Sequence, residues 1–520
     1  MLRYTTLGAQ LTLFLFTALA TIAAYMPFLT FFAYTPAFAF IHRLSITLNI
    51  GDSTKTIQAI VFIAPILIIK ALWAYHKRYG ISQLFKTKII VLLSLLVFAD
   101  LLSVATSIHT MATVNVLLTH LMNWGLFLAS SIWLALLSDL LDREIVRKYG
   151  LKLLKVFSIA IITFTLVNAL ISVWQFVDCT LPHLGCRTWN AIDEAFPNKL
   201  LPVGHQRFSH KPIVIRAYGV FGDVNFNGMY SLLVVVIAGT LAFLGYLLQN
   251  RKGYQLTKEL RWLLITICAA LVSFLLTLSR SAILGAGAVF VVLLAVLLLP
   301  AVKQYKLPAD FTSLIKKGGS VGLLALVLLL GSGFLIPMHY VTSTGDEKST
   351  TLTTQLLQYV NKMFHPEQSS AQAHVDLFSS AIRIGNQSPL FGQGMGTFGS
   401  EYQRLFAPEG GQDTDPHSTY GRLYAEQGII GLNVYLVVIV SLWIHAIKQL
   451  QHFRNTLITN ISPGQRLKKE EYYLLGARLL FTLLAFGVPF FSVATISYYG
   501  FFLPMTWWWG NGELVKTLKS

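Results

Sequence analysis

The sequence predicts an all-α fold: a polytopic transmembrane helical bundle of about 12 spans, with a large extracytoplasmic loop containing amphipathic helices. Three observations predict it. The 520 residues are 54% hydrophobic and only 12% charged, about half the charge of an ordinary soluble domain. Apolar runs of roughly 20 residues, enough to cross the hydrocarbon of a bilayer as a helix, recur along the chain. Basic segments separate alternate runs, as loops held on the cytoplasmic side do.

In order, the spans fall near 8–36, 56–75, 88–108, 114–139, 156–177, 220–248, 262–279, 281–300, 320–338, 427–446, 473–494 and 496–511. The first is longer than an upright helix needs, so it tilts or ends along the interface. The last is short, and Trp507, Trp508 and Trp509 give it the aromatic belt of a membrane–water boundary. HKRYGISQLFKTK (76–88), DREIVRKYGLKLLK (142–155), NRKGYQLTKELR (250–261), KQYKLPADFTSLIKK (303–317) and KQLQHFRNTLITNISPGQRLKKE (448–470) are all basic. They fall on one side if both termini are cytoplasmic, and the basic tail KTLKS agrees. These loops explain most of the net charge of +17. No soluble basic domain is left to bind nucleic acid. The chain divides into N-terminal spans (1–177), a central membrane region (178–338), an external loop domain (339–425) and C-terminal spans (426–520).

That alternation puts 178–216 and 339–425 outside. Within the longer segment, Leu352, Leu356 and Val360 recur at helical spacing, as do Val375, Phe378 and Ile382. Both stretches read as amphipathic helices that lie on the membrane or cap a cavity. The shorter segment carries Arg187, Lys199, Arg207, Lys211 and Arg216 against Asp178, Asp193 and Glu194. Cations outside are either scattered solvated charge or an attraction for anionic lipid. The three cysteines are too few for a disulfide framework. Cys268 reads as a packed thiol, and Cys179 and Cys186 flank a short external segment where a local disulfide can form. The N-terminal apolar run is too long for a cleavable signal.

Three positions stand out. Arg216 stands at the outer start of a span, followed by Asn225 and Asn227. Arg280 stands in a very short turn between two long apolar runs, where it either snorkels to the interface or meets an anion. His417, beside Asp413 and Asp415 in DTDPHSTY, precedes another span. It is either a solvated loop histidine or a working imidazole. No His-x-x-x-His or comparable ligand set supports a metal site. No nucleophile-elbow pattern supports a Ser-His-Asp hydrolase.

SPLFGQGMGTF (388–398), HSTYGRLYAEQGIIGL (417–432), RAYGVFGDVNFNG (216–228) and LSRSA (278–282) stand together in one chain. The combination resembles the O-antigen ligase and polymerase superfamily. The first is similar to that family's Asn-Pro-Leu-x-Gly-x-Gly-x-x-x-Phe signature, and the second to its histidine-led start of a span. The other two resemble its arginine motifs, in the expected order. The resemblance covers roughly residues 210–495. Two departures bear on the acceptor: Ser418 stands where the family has Asn, and His374 replaces a frequent arginine, for which Arg383 can substitute.

The resemblance implies an integral-membrane glycosyltransferase of the bacterial cytoplasmic membrane, with its active site on the extracytoplasmic side. Its donor would be a glycan on polyprenyl pyrophosphate, its acceptor a saccharide or glycolipid, and it needs no metal and no cofactor. Arg216 and Arg280 would then hold the pyrophosphate, because a guanidinium stays charged and binds phosphate in a bidentate fork. His417 would take the acceptor's proton. Tyr420, on the same helical face if the helix begins at His417, would support the acceptor, with Arg383 and Asn225 nearby. Glu426, Gly428 and Gly431 read as structural. Ligase, polymerase and protein O-oligosaccharyltransferase share this chemistry, and a ligase acting on lipid A core or a similar envelope acceptor is favoured. A polysaccharide flippase is the reading from another class. The dissimilar halves, outer-edge arginines and large external loop favour the enzyme.

Overall fold

The computed structural model describes residues 45–50, 53–58, 60–84, 88–107, positions within 113–132, 159, 161–177, 217, 219, 224–252, 257–277, 279–297, 337–341, 347–351, 370–406, 416, 418–459 and positions within 478–485. Helices dominate them. They are α1 (Ile60–Tyr79), α2 (Lys88–Ala105), α3 (Ile161–Val177), α4 (Val224–Lys252), α5 (Thr257–Thr277), α6 (Arg280–Leu297), α7 (Ser370–Gly385), α8 (Phe398–Phe406) and α9 (Thr419–Thr459). Seven of these, α1 to α6 and α9, fall on predicted spans, because an apolar run of that length satisfies its own backbone only as a helix. Gly80 closes α1 in the left-handed region (φ 77°), donating its N–H to the His76 carbonyl at 3.0 Å.

Two antiparallel hairpins interrupt the helical reading. β1 (Ser45–Ile50) pairs with β2 (Ser53–Gln58), with Ile50 opposite Ser53. β3 (Pro337–Val341) pairs with β4 (Glu347–Thr351). Ile46, Leu48 and Ile50 alternate with polar residues, a period of two that a search for helical runs passes over. The spans predicted to start at 56 and to end at 338 therefore lose those ends to strands. The spans predicted at 8–36 and 496–511, most of the amphipathic stretch 351–363, and both Cys179 and Cys186 lie outside the described residues.

Burial is inverted relative to a soluble domain. Asn168 and Asn227 are 0% exposed, whereas Leu170 is 71% and Val291 65% exposed. Polar side chains face the interior and find partners there, while the large apolar faces point outward, as they do in hydrocarbon. One described helix, Thr419–Phe453, is long and apolar enough to cross a membrane, and shorter apolar helices include Ser94–Ala105, Asn227–Thr240 and Trp262–Thr277. Cys268 corrects the packed-thiol expectation: it is free and exposed on α5. Thr266, Ala270, Ser273 and Thr277 form the buried face of α5, and Cys268 falls on the opposite side of the helix.

Two clusters organise the core. In the bundle, Ala71 and Tyr75 of α1, Leu92 and Leu96 of α2, Trp124, and Tyr435, Val438, Ile439 and Leu442 of α9 pack together. Outside it, Leu377, Ala381 and Ile384 of α7 and Phe398 of α8 pack on Ala425 of α9. The predicted helix over 373–385 is present as α7, but its buried stripe is not Val375, Phe378 and Ile382. Val375 is exposed and Phe378 largely so. The sequence carries two apolar stripes, and the small residues Gly421 and Ala425 select the one that approaches α9 closely.

Candidate functional site

Two fastenings hold the motifs. At the first, Arg216 lies outside the described residues, but its neighbour Ala217 donates its N–H to the Leu276 carbonyl at 2.9 Å. Leu276 is in the last turn of α5, four residues before Arg280, so the two arginine-bearing segments are joined backbone to backbone. Arg280 is the first residue of α6; its side chain, like that of Asn225 in the first turn of α4, lies outside the described residues. Ser279 caps α6: its hydroxyl accepts the Ala282 N–H at 3.3 Å. Thr277 Oγ1 accepts the Ser279 N–H at 3.3 Å and donates to the Phe274 carbonyl at 2.7 Å, tightening the turn. Gly228 of α4 comes so close to this turn that a Cβ there would press on Ala282 and Ser279. The starts of α4 and α6 therefore lie side by side, and both present the positive end of a helix dipole.

Asn227, rather than Asn225, is the organising side chain. Its Oδ1 accepts from Asn168 Nδ2 at 2.8 Å and from Ser273 Oγ at 3.0 Å. Its Nδ2 donates to Ser172 Oγ and to the Ala217 carbonyl, both at 3.2 Å. The signal was its spacing, three residues after the start of α4 and so on the buried face, which the motif's two asparagines obscured.

The second fastening is a break in α9. Gly428 has φ 65° and ψ −162°, outside any helix and open essentially to glycine alone. The break frees two carbonyls before it and two N–H groups after it. The SPLFGQGMGTF strap takes up all four. Gln393 and Gly394 donate to the Ala425 and Glu426 carbonyls, each at 2.9 Å, and Ile429 and Ile430 donate to the Pro389 and Leu390 carbonyls at 2.8 and 3.3 Å. The strap lies backbone against backbone, because a Cβ on Gly392 would strike Glu426 and Gln427, and one on Gly428 would strike Leu390. Ser103 of α2 adds a hydrogen bond to the Glu426 carbonyl at 3.1 Å.

Buried carboxylates lock the break in place. Glu426, 5% exposed, accepts the Phe398 N–H at the start of α8 and the Arg422 guanidinium, both at 3.2 Å. Asp100 of α2, 4% exposed, accepts Gln427 Nε2 at 2.8 Å and Trp124 Nε1 at 3.1 Å, with His120 Nδ1 at 3.4 Å from Oδ2. Glu426 thus has the structural role its motif suggests. Asp100 was missed, although a lone carboxylate in an apolar run is itself a signal.

His417 lies outside the described residues and, by position, before the helix rather than on it: α9 begins at Thr419 with Ser418 as its cap. The Ser418 hydroxyl accepts the Gly421 N–H at 3.4 Å and its carbonyl the Arg422 N–H at 2.9 Å. The shared face of His417 and Tyr420 is conditional on a helix beginning at His417, and α9 begins two residues later. Tyr420 is half-buried, its ring edge-on to Tyr435 with centroids 5.9 Å apart. Arg383, exposed in the last turn of α7, sits 6.0 Å over the Phe406 ring. Nearby, Arg404 donates to Glu401 at 2.6 Å, and that bond, then the carboxylate's charge, raises its pKa above the ordinary guanidinium value. Asn and Ser cap helices about equally well, so Ser418→Asn is expected to leave the melting temperature unchanged. Ser418→Ala should cost about 1 kcal/mol, which a thermal melt in detergent checks.

Among the described residues, no group of three or more His, Cys, Asp or Glu side chains is placed to hold a metal. The described arrangement can present two helix N-termini to an anion. It also holds the break in α9 against the strap. Residues 262–436 match the family model described as O-Antigen ligase. That range runs from near the start of α5, across the turn before Arg280, through the strap and into α9. No curated protein matches the chain.

Proposed function

We propose, from the match of residues 262–436 to the O-antigen ligase family model, that the chain is a membrane glycosyltransferase that moves a glycan from polyprenyl pyrophosphate to a cell-envelope acceptor. The observation that supports this most is the joint between Ala217 and Leu276, which puts the chain beside Arg216 next to the turn that starts α6 with Arg280. A guanidinium at the first position of a helix is repelled by the helix dipole and favoured by a bound anion. Two helix starts and two arginines make a seat for a diphosphate.

In this reading the acceptor hydroxyl attacks the anomeric carbon from the face opposite the pyrophosphate. The new C–O bond forms as the bond to the phosphate oxygen breaks, and the configuration inverts. Arg216 and Arg280 stabilise the charge that grows on the leaving pyrophosphate, and the His417 imidazole accepts the hydroxyl proton. The leaving group is already activated, so the step needs no metal. Tyr420, held against Tyr435, supports this wall. Asn225 lies in the first turn of α4, and Arg383 faces the aqueous side where the acceptor arrives. The three working side chains meet at the outer rim of the bundle, in the cytoplasmic membrane, with the lipid tail in the bilayer and the sugars in water.

The test is purified protein in nanodiscs with a synthetic lipid-pyrophosphate glycan and a panel of acceptors, read by product mass. The expected result is acceptor extended by the whole glycan with release of polyprenyl pyrophosphate. Extension of lipid-linked glycan alone would make it a polymerase, and a glycosylated Ser or Thr peptide a protein glycosyltransferase. Movement of intact donor across a bilayer, with no transfer to any acceptor, would replace the enzyme by a transporter.

A further inference from the structure

Ala217 and Gly219, next after Arg216 among the described residues, lie outside the long helices, so their backbone polar groups need partners from elsewhere. At Ala217 and Gly219 every one is matched. The Ala217 N–H goes to Leu276 and its carbonyl accepts from Asn227. The Gly219 N–H donates to Gln175 Oε1 at 2.8 Å, and the Gly219 carbonyl accepts from Gln175 Nε2 at 3.0 Å. One glutamine of α3 thus engages both polar groups of one residue, as the edge of a neighbouring strand would. Gln175 is 3% exposed and Ala217 0%.

The seat is built for this one conformation. Gly219 has φ 58°, in the left-handed region, and a Cβ there would strike Asn168 Oδ1 and Asn227 Nδ2. The Asn168 amide is oriented in turn by Asn227 and by Ser273 Oγ at 3.0 Å. Helix propensity does not require two asparagines and a glutamine on the facing sides of α3 and α4. Buried amides of this kind are costly in a membrane bundle unless they fix something. What they fix is the backbone of Ala217 and Gly219, next in sequence to Arg216.

We propose that Gln175 is a positioning residue for donor binding: by clamping Gly219 it sets where the Arg216 guanidinium stands relative to Arg280. The inference rests on the proposed function and adds to it a residue more than 40 positions upstream, outside the matched family region. Gln175 touches no substrate. Loss of the clamp lets the segment wander by an ångström or more, a displacement that costs about tenfold to a hundredfold in a site dependent on geometry.

The experiment measures binding of geranylgeranyl pyrophosphate to the full-length protein in nanodiscs, together with donor and acceptor KM, for wild type, Gln175→Leu, Arg216→Ala and the double variant. Gln175→Leu is expected to weaken pyrophosphate binding and raise donor KM about tenfold or more, leaving acceptor KM in place. In the Arg216→Ala background it should weaken binding no further, because the two act as one unit. A rise in both substrates' KM values together, or losses that multiply in the double variant, would mean a structural role and overturn the proposal. If Arg216→Ala itself binds the probe normally, the arginine's assigned role falls, and this inference with it. Gln175→Glu guards against misfolding: its protonated carboxyl reproduces both hydrogen bonds, so its probe binding should recover as pH is lowered while wild type does not change likewise. A pH-independent defect would also overturn the proposal.

Discussion

Gly428→Ala is expected to leave little folded protein. Its backbone, φ 65° and ψ −162°, lies where residues with a Cβ pay about 1–3 kcal/mol. The added methyl would also press on the Leu390 carbonyl group, a backbone neighbour unable to rotate away. Relief requires the strap to lift, which removes the hydrogen bonds of Gln393, Gly394, Ile429 and Ile430, each worth about 1 kcal/mol. The total, about 4 kcal/mol or more, is a large part of the roughly 5–15 kcal/mol that stabilises a typical protein. Gly239→Ala is the control: a Cβ there meets nothing within 4 Å, and alanine improves a helix by about 0.5–1 kcal/mol. Thermal melts and monodisperse yield in detergent should separate the two widely. Equal melting temperatures would mean that the strap does not lock the break.

Arg280→Ala is expected to lower transfer by about a hundredfold to a thousandfold, the usual loss when one preorganised donor to a developing anion is removed. Arg280→Lys should recover only part of it, because an ammonium keeps the charge without the bidentate fork. Arg280 is the first residue of α6, whose capping bonds run through Ser279 and Thr277, so the melting temperature should hold in both variants. Single-turnover rates with the lipid-pyrophosphate donor give the measurement. Normal turnover by Arg280→Ala would leave the snorkelling arginine as the correct description. His417→Ala should lose transfer comparably, and its loss should not multiply with that of Arg280→Ala if both serve one transition state.

Much of the helical layout was legible in the sequence. The predicted spans over 88–108, 220–248, 262–279 and 281–300 coincide with α2, α4, α5 and α6 to within a few residues. The hairpins were not, since their strands lie in segments read as loops or as the ends of apolar spans. The helix after His417 starts eight residues before the predicted span and runs on to Thr459. Its polar flanks hide its length from a search for apolar runs. The site divides the same way. The motifs containing Arg216, Arg280, His417 and the strap were visible as strings, but their supports were not. Asn227 was visible only as one of two asparagines, and Gln175 and Asp100 belong to no motif at all.

By itself the sequence determined that this chain is rich in apolar helices and carries, in order, motifs that resemble those of the O-antigen ligase family, because helix formation depends on residues three or four positions apart. Only the tertiary structure decided which stripe of α7 is buried, that α9 breaks at Gly428, and that Gln175 holds Gly219. Those outcomes depend on groups from distant parts of the chain. The Ser103 hydroxyl reaches the Glu426 carbonyl across 323 positions, and the Asp100 carboxylate meets Gln427 across 327. A buried polar group must be satisfied by whatever packing brings to it, and no local pattern specifies which residue that will be.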